Sequence, residues 1–341
     1  MRVVWITFGA PSHTPDGALT STIASLRYRV LAPIAEMAGE AWSHQVLPIL
    51  AQTPEEERDA ALRADVLIFS KSFLPANEAL AAKAKALGIP VIFDVCDNHY
   101  QHPQYGQHYR TMSGLADQVA CNTQEMARAA QPHCQAPPWV IEDPYEGVRG
   151  HAAFAPGERL KLLWFGHPTN LDSLQASLDD LVGYSARRPV LLSVLTEPSP
   201  ALLQASDQLN SRFGSHFAMD IRPWSLEAQW RELAACDAVI IPSLQTDAKR
   251  VKSANRMVEG LWAGKPVVAQ PMPAYAPFAA WTPIRETLSQ GLDALAANPE
   301  GVPALVSQAQ DHIANAYASA VLGRKWRGLI QTQCARRVAV R

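Results

Sequence analysis

Net charge is the first thing this sequence has little of. Its 341 residues carry 30 Lys and Arg against 32 Asp and Glu, a formal charge of −2. Bulk electrostatics therefore give no reason to expect nucleic acid as a partner. No apolar run reaches the roughly 18 residues that a membrane span needs. The five cysteines (Cys96, Cys121, Cys134, Cys236 and Cys334) are odd in number and lack metal-ligand spacing. Reduced thiols in a cytoplasmic setting are the simpler expectation. The apolar part of MRVVWITFGAPSHTPDG is too short for a secretory signal and reads as a first strand and loop. Tandem repeats are absent, GxGxxG is absent, and no motif announces a catalytic triad.

What is present is a globular composition, 48% hydrophobic and 18% charged, in a chain long enough for two cored domains. Short Val/Ile/Leu runs without alternation predict strands buried on both faces. They fall at Val3–Phe8, Gln45–Leu50, Val66–Ser70, Val91–Asp94, Gln118–Asn122 and Trp139–Glu142. Helical patterns lie between them, near Thr22–Ala38, Glu55–Arg63, Asn77–Leu87 and Gln124–Ala130. After a polar, Gly/Pro-containing stretch the pattern restarts, with strands expected at Leu160–Phe165, Val190–Leu195, Phe217–Ile221, Ala238–Pro242 and Val267–Gln270. Helices are expected there at Leu171–Tyr184, Ala201–Phe213, Leu226–Ala235 and Ser253–Ala263, followed by a helical section from Val302 to about Arg336. Alternating strands and helices imply an α/β chain of two Rossmann-like, doubly wound parallel sheets. The expected division is an N-terminal domain over 1–150, a linker over 151–158, a second domain over 159–310, and C-terminal helices over 311–341 that pack back toward the first domain.

Open α/β sheets bind ligands beyond the carboxyl ends of their strands, and four such places carry suggestive residues. FGAPSHTPDGALT follows the first strand, and Gly9 there lets backbone approach a ligand; a flexible connection is the alternative. FDVCDNHYQH brings Asp94, Asp97, Asn98, His99 and His102 into one loop, fit for acid/base work or for a hydrogen-bonded structural turn. LWFGHPTNLDSL ends a strand at Gly166 and opens a helix near Thr169 and Asn170, a candidate phosphate seat that ordinary capping does not exclude.

The fourth place is KSANRMVEGLWAGKPVVA. At about 100° per residue, Lys252, Asn255, Arg256 and Glu259 share an arc of roughly 100°. Cations in a helix's first turn oppose its dipole, and a bound anion resolves that conflict. A surface ion pair between Arg256 and Glu259 is the bland alternative. Arg27, Tyr28 and Arg29, early on the first helix, could meet an acidic acceptor group or form a solvated turn with Tyr28 packed.

These segments together resemble the GT-B glycosyltransferases, specifically the large retaining family of bacterial polysaccharide and lipid glycosyltransferases. CDAVIIPSLQTDAKRVKSANRMVEGLWAGKPVVAQPMPAY, residues 236–275, carries most of the likeness. LKLLWFGHPTN, DVLIFSK, GIPVIFDVCD and SLRYRVLAPIAEMA extend it more loosely. The resemblance implies two Rossmann-like domains facing a cleft, with a nucleotide-sugar donor on the C-terminal domain and an acceptor on the N-terminal one. It implies no cofactor and no obligatory metal, and retention at the transferred carbon. Glu259 matches the second member of the family's paired-glutamate motif, which commonly holds the donor ribose, but Val251 stands where its partner would be. The usual Arg/Lys pair after the first strand of the C-terminal domain is missing as well. Lys252 and Arg256 are the substitutes for that charge, and Asp97 or His99 is the candidate contact to the transferred sugar.

The expected activity is therefore sugar transfer to a glycan, lipid-linked or protein acceptor, with donor base and sugar unassigned. A GT-B-shaped nucleotide-sugar epimerase and a catalytically degenerate binding subunit are the alternatives. From residue 312 onward Arg324, Lys325, Arg327, Arg336, Arg337 and Arg341 stand without an acidic residue. That basic end offers peripheral contact to an anionic inner-membrane face, against the plainer reading of a solvated tail.

Overall fold

The computed structural model describes residues 1–14, 16–37, 39 and 41–339, with side chains to Arg336. Pro15 of the first loop and Ala38, the last residue of the first expected helix, lie outside the described residues, as do the side chains of Arg337 and Arg341. The chain divides into two compact units: 1–144 with 250–253 and 317–341, and 145–249 with 254–316.

The first unit is built on six parallel strands: β1 (Arg2–Thr7), β2 (Ser43–Pro48), β3 (Val66–Ser70), β4 (Val91–Val95), β5 (Gln118–Cys121) and β6 (Trp139–Val140), in the order β2-β1-β3-β4-β5-β6. Val3 to Ile6, Val66 to Phe69 and Val91 to Phe93 are at most 1% exposed, which is why these runs show no polar alternation. One face is covered by helices Pro75–Ala86 and Gly106–Leu115, the second of which the sequence did not announce. The other face takes the helix Ser319–Ala339, whose Leu322, Trp326, Leu329 and Ile330 join the core of Val3, Trp5 and Val30. Trp326 meets Trp5 edge-on at 5.2 Å. In the expected basic tail, Lys325 pairs with Glu142 at 2.5 Å, whereas Arg324 and Arg336 are exposed. Among the described residues no helix is long and apolar enough to cross a membrane.

The second unit holds five parallel strands: β7 (Leu160–Phe165), β8 (Val190–Thr196), β9 (Phe217–Pro223), β10 (Ala238–Ile241) and β11 (Val267–Ala269), in the order β9-β8-β7-β10-β11. The helix expected over Leu171–Tyr184 is two, Leu171–Gln175 and Leu178–Ser185. Residues 145–158, which include the expected linker, group with this unit. Tyr145 packs on Trp262 at 4.1 Å between ring centres, and Trp262 Nε1 donates to the Gly147 carbonyl at 3.2 Å. Gly150 lies so close to the turn after helix Asn255–Trp262 that an added Cβ would stand 2.1 Å from the Ala263 carbonyl oxygen.

Candidate functional site

In the first unit the carboxyl ends of β1, β3 and β4 bring together Phe8, Lys71 and the loop from Cys96 to His102. Lys71 directly follows β3 with φ +50°, the one non-glycine residue in the left-handed region among the described residues. Such a conformation costs about 1–2 kcal/mol, and strain of this kind gathers at functional sites. Its Nζ lies 2.6 Å from Asp97 Oδ2, while Lys252 Nζ pairs with Asp97 Oδ1. Burial alone would raise the Asp97 pKa, but the two ammonium groups outweigh it and hold the carboxyl well below the usual range. Asp97 is thus a lysine-clamped anion rather than a carboxylate waiting for a proton.

His99 stands in an aromatic group instead. Its ring centre is 5.6 Å from Phe73 and 5.0 Å from Tyr109, both edge-on, and Phe73 in turn meets Phe8 at 5.7 Å. Burial lowers its pKa, so the neutral imidazole is favoured. His102 stacks on Tyr105 at 4.7 Å. At Gly9 an added Cβ would lie 2.7 Å from Ile23 Cδ1, so the glycine makes room for that side chain.

Asp94 and Arg29 turn inward and leave this edge. Arg29, 1% exposed, holds Asp94 Oδ1 at 2.6 Å through Nη2 and Asp143 Oδ1 at 3.2 Å through Nη1. Ser70 Oγ donates to the remaining Asp94 oxygen at 3.1 Å. Burial disfavours the guanidinium charge, but Asp94 and Asp143 prevail and hold it above its ordinary range. Neither sequence reading of Arg29, an acceptor contact or a solvated first turn, is met. Residues Arg27–Leu31 form a π turn and are all buried, so the extra residue per turn carries this arginine into the core.

The Lys252 expectation also needs correcting. The helix begins at Asn255, so Lys252 precedes it and does not share its face with Arg256 and Glu259. Val251 is 3% exposed within the first unit's core, and its carbonyl accepts a 2.8 Å hydrogen bond from Thr123 Oγ1. Residues 251–254 thus separate the short helix Asp247–Arg250 from helix Asn255–Trp262.

In the second unit, β7 ends at Phe165 and the chain turns through Gly166. A Cβ there would lie 3.4 Å from the Trp164 ring and 3.8 Å from Arg256 Nη1. Arg256 sits in the first turn of helix Asn255–Trp262, whose N-cap, Ala254, supplies no side-chain cap. The guanidinium carbon is 6.0 Å from the Trp164 ring centre. Arg256 Nη1, Trp164 Nε1 and, on the adjacent β8, Thr196 Oγ1 are buried without a hydrogen-bond partner among the described residues. Unmet buried donors are rare in native proteins. Two of these stand beside a glycine at the end of one strand and an uncapped helix N-terminus.

Glu259, one turn farther on, is 4% exposed and accepts from Gln229 Nε2 at 3.1 Å. Gln229 is itself held by Trp224 Nε1 at 2.9 Å. Asn170 closes the short helix Pro168–Asn170 and makes no capping bond; His167 Nδ1 accepts from the Thr169 N–H instead. Lys249, which the sequence reading did not single out, reaches that turn from the short helix Asp247–Arg250 after β10. It pairs with Asp172 and donates to Ser173 Oγ at 3.0 Å. Its position inside PSLQTDAKR carries no periodicity, so only the fold reveals it. Among the described residues no group of three or more His, Cys, Asp or Glu could hold a metal ion.

No family model matches the sequence, and no curated protein does. Solved structures do resemble the fold. Anabaena HepE, in complex with UDP, superposes with a TM-score of 0.71 at 13% identity, covering 97% of this chain and all of that one (100%). A glycosyltransferase from Rickettsia africae gives 0.68 at 12% identity, with 97% and 98% covered. The α,α-trehalose-6-phosphate synthase of Burkholderia multivorans gives 0.64 at 9% identity, with 99% and 98% covered. The two Rossmann-like units of this chain have the GT-B fold that these structures share.

Proposed function

We propose that the chain is a glycosyltransferase that moves a sugar from a nucleotide-sugar donor to a glycan, lipid-linked or protein acceptor. The observation that carries this is the buried, unpartnered Nη1 of Arg256 at an uncapped helix N-terminus beside Gly166 and Trp164. Guanidinium and helix amides attract one anion together, and the diphosphate of a nucleotide sugar is such an anion. Asn255 opens the same turn. Glu259, fixed by Gln229, is the proposed acceptor for the ribose hydroxyls. A UDP-bound relative in shape makes UDP the first nucleotide to test.

Sugar transfer passes through an oxocarbenium-like state as negative charge grows on the leaving phosphate. Donors already aimed at that charge are the largest catalytic contribution, each about 3 kcal/mol or a hundredfold in rate. With Arg256 supplying that charge, we propose transfer without an obligatory metal and, following the sequence resemblance, with retention. On the first unit, the rings of Phe8, Phe73 and His99 beside the Lys71–Asp97–Lys252 cluster are the proposed acceptor-side surface. There Asp97, ionised and clamped, orients a hydroxyl, and neutral His99 presents an edge to the sugar.

Calorimetric titration with UDP and UDP-glucose tests this reading. Wild type binds at least one of them, and Arg256→Met weakens binding at least tenfold; no binding by the folded wild type across the nucleoside diphosphates and CMP would remove the donor site. Release of nucleotide from the sugar donor, unaffected by EDTA and lost in Glu259→Ala, then separates a transferase from a binding subunit.

A further inference from the structure

Two residues past β3, on the turn into helix Pro75–Ala86, lies a group of side chains that the donor reading does not use. Ser72 Oγ is 3.0 Å from His108 Nε2, and His108 Nδ1 is 2.6 Å from Glu78 Oε1. The carboxylate can only accept, so Nδ1 carries a proton, and in the neutral tautomer Nε2 is the acceptor facing the Ser72 hydroxyl. Asn77 Nδ2 donates to the same Ser72 oxygen at 2.8 Å, which leaves the hydroxyl hydrogen directed at His108. Serine, imidazole and carboxylate in this order and at these distances form the relay that activates a serine nucleophile.

The setting adds two features. The left-handed Lys71 turns the chain sharply off the strand immediately before Ser72. Asn77 belongs to the first turn of helix Pro75–Ala86, and its side-chain amide fixes Ser72 Oγ beside that turn. Asn77 Oδ1 is buried with no partner among the described residues. Asn77, Ser72 and His108 are 3%, 3% and 6% exposed, so the three side chains form a buried polar group.

We propose that Ser72 is an acyl-accepting nucleophile, with His108 as its base, Glu78 as the residue positioning that base, and small carboxylic esters as the substrate class. Ser72 Oγ bonds to the ester carbonyl carbon as its proton passes to His108 Nε2. The bond to the alcohol oxygen breaks, and the alcohol leaves with that proton. Water then attacks the acyl-serine; its proton passes through His108 back to Ser72 Oγ and the carboxylic acid departs.

Diisopropyl fluorophosphate is the probe, because it is small and reports an activated serine directly. The intact chain should gain one diisopropylphosphoryl group, mapped by peptide mass to Ser72. Ser72→Ala should gain none, and His108→Ala or His108→Gln should react at least about a hundredfold more slowly, each checked for folding by circular dichroism. Hydrolysis of p-nitrophenyl acetate should fall in parallel. A far-downfield imidazole proton resonance should be present in wild type and absent from Glu78→Gln, a signature that packing alone does not produce. Folded wild type that stays unmodified while a serine hydrolase control reacts, or an adduct mapped to another residue, overturns the proposal.

Discussion

The Arg29 guanidinium lies 2.6 Å from the Asp94 carboxylate, with the two side chains 1% and 0% exposed. Asp143 completes the arrangement from the chain following β6. Removing one partner of a buried pair costs about 3–5 kcal/mol, because it leaves the other charge uncompensated. Arg29→Met leaves two carboxylates without their cation, whereas Asp94→Asn leaves the guanidinium with Asp143. Urea unfolding should therefore rank Arg29→Met as the more damaging change, with Asp94→Asn near the lower end of that range; the opposite order would show that Asp143 takes little part.

The Asp97 clamp and His99 give stability two separate dependences on pH. His99 has a folded pKa below its unfolded value of about 6.5. Its contribution is complete above that pH and is lost as pH falls through the lowered folded value. Asp97 is also lowered, so its contribution is complete above about pH 4 and is lost only in stronger acid. Unfolding free energies measured from pH 8 to 3 should show both declines. His99→Phe should reduce the first and leave the second, whereas Asp97→Asn should reduce the second. Asp97→Asn should also cost about 3 kcal/mol at neutral pH, the low end for a buried pair because Lys252 is 45% exposed.

Glycine positions in the second unit separate steric need from mere permissiveness. Gly264 has φ +83°, and a Cβ there would stand 2.2 Å from the His151 carbonyl oxygen. Gly183, inside helix Leu178–Ser185, has nothing within 4 Å of such a Cβ. Gly264→Ala combines about 1–2 kcal/mol of left-handed strain with about 1–3 kcal/mol of overpacking. Gly183→Ala should gain about 0.5–1 kcal/mol from helix propensity. Calorimetric Tm values for the two variants should move in opposite directions.

Much of the fold was legible because parallel strands buried on both faces must be short, apolar and uninterrupted, as Val66–Ser70 and Leu160–Phe165 are. Arg29 was not, since a periodicity of 3.6 misplaces side chains wherever the backbone takes a π turn. Helix Gly106–Leu115 opens without a side-chain cap after Tyr105, and so the usual start signal is missing. Helix Leu288–Ala297 does carry its signal, Thr287 capping Gln290, and that one could have been found. Of the donor stripe, Arg256 and Glu259 hold their helix, while Lys252 follows Val251 into the first unit. The Ser72–His108 contact joins residues 36 positions apart on two different helices' flanks, a closeness that only tertiary packing creates.

A site built to hold an anion should cost stability while it waits. The Arg256 Nη1 donor is buried with no partner among the described residues, and an unmet buried donor costs about 1–3 kcal/mol. Methionine matches much of the arginine stem and can lie on the Trp164 ring without that unmet polar group. Arg256→Met should therefore raise the Tm of the ligand-free protein, at about 2–4 °C for each kcal/mol recovered. The same variant should lose the stabilisation that a nucleoside diphosphate at about 100 times Kd gives wild type, about 2.7 kcal/mol. Gain without ligand and loss with it, measured in one scanning experiment, is the pattern of a functional residue kept at the expense of stability. A lower Tm for ligand-free Arg256→Met would mean that the guanidinium is satisfied in the folded chain, and that it holds the structure rather than a diphosphate.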